Sequence, residues 1–536
     1  MSKIKKWSRL LWEAQKFPAK YFNPGEQYIY DSGVLPTGIT ANPGDILTVN
    51  AEPWLPAGCI PGKAADWLVI RNSGTTQKMI DEAVTVEPGK VIANLGSESA
   101  KFPKTPIPEF FRQLPLKFLL DNYGYGACRK RSQTDPSWTR CGNPFMAISL
   151  PFHNGMRRCL VDDDGNVVKY LDATDSSKIE GGETANLTGV EDPENPEKVF
   201  GQVMVEIPEV FRYHFVADGI EYVYLCNEDF PVDEHVEKVH IPAGCFYSAY
   251  EASLDNRDPE SPKICSVVNT SDDFIGGSRD SGQRDWSGDK DLHGRPATYL
   301  ELGQFRAYAR NRGSERWNCD CYFLQLHIYW MFVIEFLTSN TQGVSVIGEG
   351  VTTWGSNTWN TFNSYNPFIP CGTTNELGNA SGNVKYTLES QNISFFVPSY
   401  RGIENPFGHI WSKCDGILVK SANGQNAVYV CDNPGNFSDT LNDDYRLIGY
   451  LPTSSNYFLK TIPGLNIPEE DSPTATATTG MCDYFYAPSA NAGIMGLLFG
   501  GGAINGTESG LSCAYANHAP SHVIANNGSR LCYLNL

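Results

Sequence analysis

The tract from 496 to 532 constrains its own backbone more tightly than any other stretch of this chain. Gly500-Gly501-Gly502, the Asn-Gly steps Asn505-Gly506 and Asn527-Gly528, and Ala519-Pro520 fix sharp turns. Glycine, and less readily asparagine, accepts a positive φ, so such steps set the path of the chain. Between them stand Phe499, Ala503, Ile504, Cys513, Tyr515, His518, His522, Val523 and Ile524, which follow neither the period of two of a half-buried strand nor the 3.6 of a helix. A backbone set this firmly, with side chains this free of pattern, predicts a rigid display surface whose chemistry varies. These nine residues are the candidate ligand contacts.

A chain of 536 residues exceeds what one core serves, so two or three domains are expected. Hydrophobic residues at 41% suffice for real cores, while 50 Gly, 34 Pro and 12% aromatics predict a turn-rich α+β protein with much irregular structure. The net charge of -19 argues against nucleic acid, whose phosphates call for a basic face. The start, Lys3-Ile4-Lys5-Lys6-Trp7-Ser8-Arg9-Leu10-Leu11-Trp12, has too short an apolar run for a signal peptide and reads as a basic, aromatic docking segment. The longest apolar run, 322–337, carries Gln325, His327 and Glu335 and predicts a buried helix rather than a membrane span. The 15 cysteines form no CxxC pair and read as mostly buried free thiols, which fits synthesis in a reducing cytoplasm.

Along the chain, residues 1–110 read as a β-rich N-terminal module, with strands at 44–49 and 67–70 and a stiff linker at Pro103, Pro106 and Pro108. Residues 111–205 read as a hairpin and linker region. There, apolar runs flank Asp164-Gly165-Asn166 between Arg157 and Leu171, a turn signal stronger than a calcium loop that lacks its closing bidentate acid. Residues 206–536 form the C-terminal domain. Its helices are expected at 298–311 and 320–337, and Trp354, Trp359, Phe362, Tyr365 and Phe368 mark an aromatic loop. His235 and His240 lie near acids but have no placed third ligand, so they read as solvated side chains and no metal site is assigned.

Tyr400-Arg401-Gly402-Ile403-Glu404-Asn405-Pro406-Phe407-Gly408-His409-Ile410-Trp411 resembles the Gly-x-Glu-Asn-x-x-Gly-x-x-Trp signature of C-type-lectin-like domains of the formylglycine-generating-enzyme group. Asn526-Asn527-Gly528-Ser529-Arg530-Leu531-Cys532 is similar to that group's closing strand, with Ser529 in place of an aromatic residue. The block from Gln304 to Gly313, with Trp330, Glu335-Phe336 and Asn340-Thr341-Gln342, is similar to bacteriophage tail proteins carrying this domain, and the likeness spans about 140–536. The group's oxidases need two thiols in the C-terminal loop. With Cys513 laid on the family cysteine, those positions fall near Ala503 and Glu508, which cannot serve as thiolates.

The chain better resembles the variable proteins of diversity-generating retroelements, of the major tropism determinant type. Adenine-specific mutagenesis of Asn codons in that family can yield Phe, Ala, Ile, Cys, Tyr, His or Val, a set that holds all nine candidates and excludes Glu508. The resemblance implies a phage receptor-binding protein, a tail fibre or adhesin, made in the bacterial cytoplasm and carried on the virion. Its expected partners are a host-surface receptor, protein or glycan, and other tail proteins through the N-terminal module; a homotrimer is expected to add avidity. No catalytic residue, metal or cofactor is assigned. The alternatives are a structural collar or fibre protein and an enzyme of the formylglycine-generating type; a hydrolase would need two facing carboxylates, for which Glu404 and Asp415 are among the candidates, and Glu404 reads as structural.

Overall fold

A computed structural model describes residues 115–276, 293–351, 369–388, 392–452, 456–469, 474–488 and 492–535, together with the strands Gln27–Ile29 and Ile46–Thr48. The docking segment at the start, the strand at 67–70, the proline linker and the aromatic loop holding Trp354, Trp359, Phe362, Tyr365 and Phe368 lie outside the described residues. The chain divides after Pro106 into two compact units. In the first, Gln27–Ile29 pairs in parallel with Ile46–Thr48, inside the strand expected at 44–49.

The α+β expectation is overturned. Among the described residues strand makes up 40% and helix 14%, and the sheets curl into a β half-barrel. The physical reason lies in how the helices are used. Tyr322–Phe336 is apolar nearly all round and buried over most of its length, with Gln325 and His327 buried too and only Phe323, Glu335 and Phe336 half-buried, so it serves as filling between sheets. Leu302–Arg310 is only nine residues long, opened by a reciprocal Glu301–Gln304 capping box. Among the described residues no helix is long and apolar enough to cross a membrane.

Most of the second unit's strands belong to three large sheets. A five-stranded sheet runs in the order Glu237–Ile241, Val210–Ala217, Ile220–Cys226, Gly124–Lys130, Thr139–Gly142. A six-stranded sheet runs Trp317–Cys319, Arg530–Tyr533, Cys245–Glu251, Gln202–Ile207, Arg157–Val161, Val167–Tyr170. Its last pair is the hairpin expected around Asp164-Gly165-Asn166, with Asp162 Oδ1 accepting from the Asn166 backbone at 2.8 Å. The boundary expected at 205/206 cuts through Gln202–Ile207, a central strand, so 111–205 is no separate region. One continuous core joins Tyr125, Leu160, Val205, Tyr247, Trp330, Phe499 and Leu534.

The third sheet carries the C-terminal tract, and its strands are numbered here in chain order: β1 Trp411–Ala422, β2 Gln425–Cys431, β3 Tyr445–Leu451, β4 Asn456–Phe458, β5 Met481–Tyr486, β6 Gly493–Gly500, β7 Gly510–His518 and β8 Asn527–Gly528. They lie in the order β3-β2-β1-β6-β7-β5-β4, with β8 pairing β1 in parallel. All pairs along the row are antiparallel except β5 with β7, which is parallel.

Candidate ligand-binding face

The tract's broken periodicity has a structural cause. Along the β6–β7 pair, Gly496 faces His518 and Leu498 faces Tyr515, so two steps on β6 match three on β7. That extra residue is a β-bulge, and it reverses which face each later side chain takes. Tyr515 and His518, three apart, therefore emerge on the same side. A second irregularity follows at once, where the partner jumps from Ala514 opposite Phe499 to Gly510 opposite Gly500.

The inner side of this sheet packs on the Tyr322–Phe336 helix through Leu497, Phe499, Ala514 and Ala516, with the Phe499 and Tyr322 rings stacked at 6.2 Å. On the other side Trp411, Leu498 and Cys513 form a thin second layer with Tyr515 packed on it. Three of the nine expected contacts are thus withdrawn. Phe499 belongs to the core, Cys513 is sealed in the thin layer, where burial pushes its thiol up, and Ala503 is fully buried against Val351, Ile369, Phe395 and Val397. Ile504 packs at the border of that last cluster, and Val523 and Ile524 are half-buried, as are Tyr515, His518 and His522.

What the outer side gathers is a row of tyrosines. Tyr515 lies 4.2 Å from the Trp411 ring and 5.1 Å from Tyr486, Tyr484 is 6.3 Å from Tyr515, and Tyr457 meets Tyr484 edge-on at 5.3 Å. All four tyrosines are half-buried. Tyr457, Tyr484 and Tyr486 are not among the nine residues expected from the sequence, although Asp483-Tyr484-Phe485-Tyr486 alternates cleanly and Phe485 is fully buried on the inner side. A polar edge adjoins the row: Asn505 Nδ2 donates to Tyr515 Oη at 3.3 Å, and Tyr515 Oη donates to Glu508 Oε2 at 3.3 Å.

Buried polar groups hold this face in place. Asp483 Oδ2 accepts from the Ser512 backbone at 2.8 Å, Ser512 Oγ at 2.7 Å and Thr341 Oγ1 at 3.4 Å, tying β5 to β7, and burial lifts its carboxyl to about 7. A side chain on Gly510 would place its Cβ 2.2 Å from Asp483 Oδ1, at a φ of +148°. Ser529, where the resembled family has an aromatic residue, donates to the Lys413 carbonyl at 2.8 Å and accepts from the Asp320 backbone at 3.1 Å, a buried slot with no space for a ring.

At the far end of the row, Lys413 is only 4% exposed, yet among the described residues it forms no ion pair. Its ammonium donates to the carbonyls of Pro520 at 3.2 Å and His522 at 2.5 Å, and burial lowers it to about 8. The His518 and His522 rings stack beside it at 3.8 Å and 8°. Burial first, then the His522 ring and Lys413, lower His518 to about 4, and His522 is lowered by burial and Lys413.

The signature residues act as a buttress behind the face. Glu404 accepts from the backbones of Gly372 at 3.0 Å and Thr374 at 2.5 Å, while Arg158 donates to the Gly402 carbonyl at 2.7 Å. Arg530 Nη2 bridges the carbonyls of Glu404 and Asn405, each at 2.5 Å. Asp415 is clamped by both ends of the Arg306 fork at 2.6 and 3.1 Å. These two carboxylates are fully committed to the frame and do not open onto a shared cleft. His235 and His240 are both exposed. Of the 14 described cysteines all are free and all but Cys128 and Cys141 are buried. No protein-family model matches the chain, and no curated protein is detectably similar to it.

Proposed function

We propose that this protein is a bacteriophage receptor-binding protein, a tail fibre or adhesin, that meets a host-surface ligand through the outer side of its C-terminal sheet. The contacts are Tyr457, Tyr484, Tyr486 and Tyr515, bordered by His518, His522, Val523, Ile524 and Ile504. The observation that carries this reading is the tyrosine row itself: four adjoining half-buried rings on one side of a sheet whose other side packs on the core. Tyrosine gives large, rigid, amphipathic contact area at low conformational cost, which is why antibody paratopes favour it. Tyrosine is also among the residues that the mutagenesis of the resembled retroelement family can write at an Asn codon. Phe499, Ala503 and Cys513 leave the variable set, because changes there would disturb the core.

On this reading the first unit attaches the protein to the virion, and trimerisation multiplies a weak single contact. The second reading, a structural collar or fibre protein, is favoured by the burial of those three residues. Adsorption separates the two. Purified protein carrying Tyr484→Ala and Tyr486→Ala, folded as judged by its melting curve, fails to bind host cells and to block phage adsorption if the row is the contact. Unchanged binding supports the structural role instead.

A further inference from the structure

We infer that the cleft at Lys413 is a carboxylate subsite and that the ligand lying along the tyrosine row is an acidic glycan. This inference rests on the binding reading above and names its ligand class. Lys413 is a buried cation that forms no ion pair among the described residues. Of the two acids it feels through space, Asp439 and Glu301, Asp439 is held by Arg306 Nη2 at 2.6 Å, and the contacts of the Lys413 ammonium are two backbone carbonyls. An ammonium has three protons to give, so one remains for a ligand. A buried charge left unpaired is costly, and an arriving anion recovers that cost.

The cleft is lined by Lys413, Leu498, His518, Pro520, His522 and Asn527. His522 Nδ1 has no partner there, and both imidazoles are held neutral, so each ring keeps an N–H to donate. Its volume of about 10 Å³ admits one atom the size of a water oxygen. A carboxylate oxygen fits while the ring that bears it stays outside, beside Trp411 and Tyr515.

A glycan suits the adjoining surface better than a peptide does. Tyr484, Tyr486 and Tyr515 sit on β5 and β7, and Lys413 and Leu498 on β1 and β6, all paired on each side within the sheet, so no strand edge is open beside the cleft for a peptide to extend; only Tyr457 stands on the end strand β4. Successive rings lie 5.1 and 6.3 Å apart and are tilted by 43° and 59° to one another, offering separate aromatic faces on which the apolar C–H faces of successive pyranoses can stack.

The test uses the full chain with oligogalacturonate and its carboxyl-reduced derivative as probes, by calorimetry. The wild type is expected to bind the charged probe about tenfold more tightly, about 1.4 kcal/mol. Lys413→Met erases that ratio, while Tyr484→Ala with Tyr486→Ala weakens both probes. Equal binding of the two probes, binding of neither, an unchanged ratio in Lys413→Met, or Lys413-dependent binding of a poly-glutamate peptide in place of the glycan overturns the inference. Should Lys413→Met fail to fold, the wild-type ratio and its loss in excess acetate decide. Loss of host adsorption by the tyrosine variant without any probe binding leaves the binding reading standing and removes the glycan alone.

Discussion

Asp483 offers the sharpest test of how the display face is held. Its carboxyl is completely buried under Gly510 and rises from 3.8 to about 7, chiefly through burial, against the opposing pull of Ser512 and Thr341. A carboxyl raised in the fold keeps its proton between those two values while the unfolded chain has lost it. Its stabilising share is therefore full below pH 4 and is lost as pH rises toward 7. The gap amounts to about 4 kcal/mol. Spread over the unit 107–536, an unfolding entropy of roughly 0.9 kcal/mol/K makes this a fall in melting temperature of about 4 °C. Asp483→Asn is neutral at every pH and its amide oxygen still accepts from Ser512, so the variant should lose that part of the slope. Thermal unfolding followed by circular dichroism from pH 4 to 8 reads the difference directly. Asp320, lifted to about 6 by burial, contributes equally to both proteins and cancels. Superimposable pH profiles for the two would mean that Asp483 is ionised in the fold and that the clamp works differently from this account.

Replacing Tyr484 or Tyr515 by Ala is expected to cost about 2 kcal/mol of ligand binding each, roughly thirtyfold, measured by host-cell adsorption, with the melting temperature nearly unchanged for Tyr484→Ala and lowered for Tyr515→Ala, whose ring packs on the Trp411, Leu498 and Cys513 layer. Gly510→Ala forces a Cβ into the Asp483 carboxylate at a φ unsuited to alanine, and urea unfolding should show a loss of about 3 kcal/mol. Glu404→Ala strips the buried Arg158 of its countercharge and frees the backbones of Gly372 and Thr374; a loss of about 3–5 kcal/mol is expected in the same assay. Lys413, lowered in the fold from 10.5 to about 8, makes stability rise as pH climbs through that interval, and Lys413→Met should abolish the rise in melting scans.

Elements specified by local rules were legible in the sequence. The Asp164-Gly165-Asn166 turn, the buried helix now seen as Tyr322–Phe336 and the helix Leu302–Arg310 each carry their signals within a dozen or so residues. Long-range pairing was not legible. Arg530–Tyr533 lies between Cys245–Glu251 and Trp317–Cys319, partners more than two hundred residues away, and no local pattern encodes that choice. For the same reason nothing local marks the strand Gln202–Ile207 as central, between Cys245–Glu251 and Arg157–Val161. The nine candidate contacts failed in part because of one inserted residue. The β7 bulge changes the parity of the face between His518 and Tyr515, so their spacing reads as disorder in a plain alternation count, while Phe499 and Cys513 look as irregular as their exposed neighbours.

The division of labour along β7 bears on whether such a face can vary at all. Ala514 and Ala516 turn inward into the main core, and so does Phe485 of β5. A change at those positions is felt by the core, since interiors are packed without slack. Tyr515, Tyr484 and Tyr486 turn outward over a thin layer of Trp411, Leu498 and Cys513, so a new side chain there alters contact chemistry while leaving the main core alone. The backbone that presents them is tied together by Asp483 of β5, which accepts from the Ser512 backbone of β7 and is indifferent to the identity of the displayed side chains, while Lys413 holds the carbonyls of Pro520 and His522 in the adjoining loop. A face built in this way tolerates substitution on its outer positions and resists it one residue to either side. Saturation mutagenesis of 510–518, read by soluble yield, should therefore show tolerance at Tyr515 and His518 and intolerance at Gly510, Ala514 and Ala516; uniform tolerance would remove the distinction on which a variable contact surface depends.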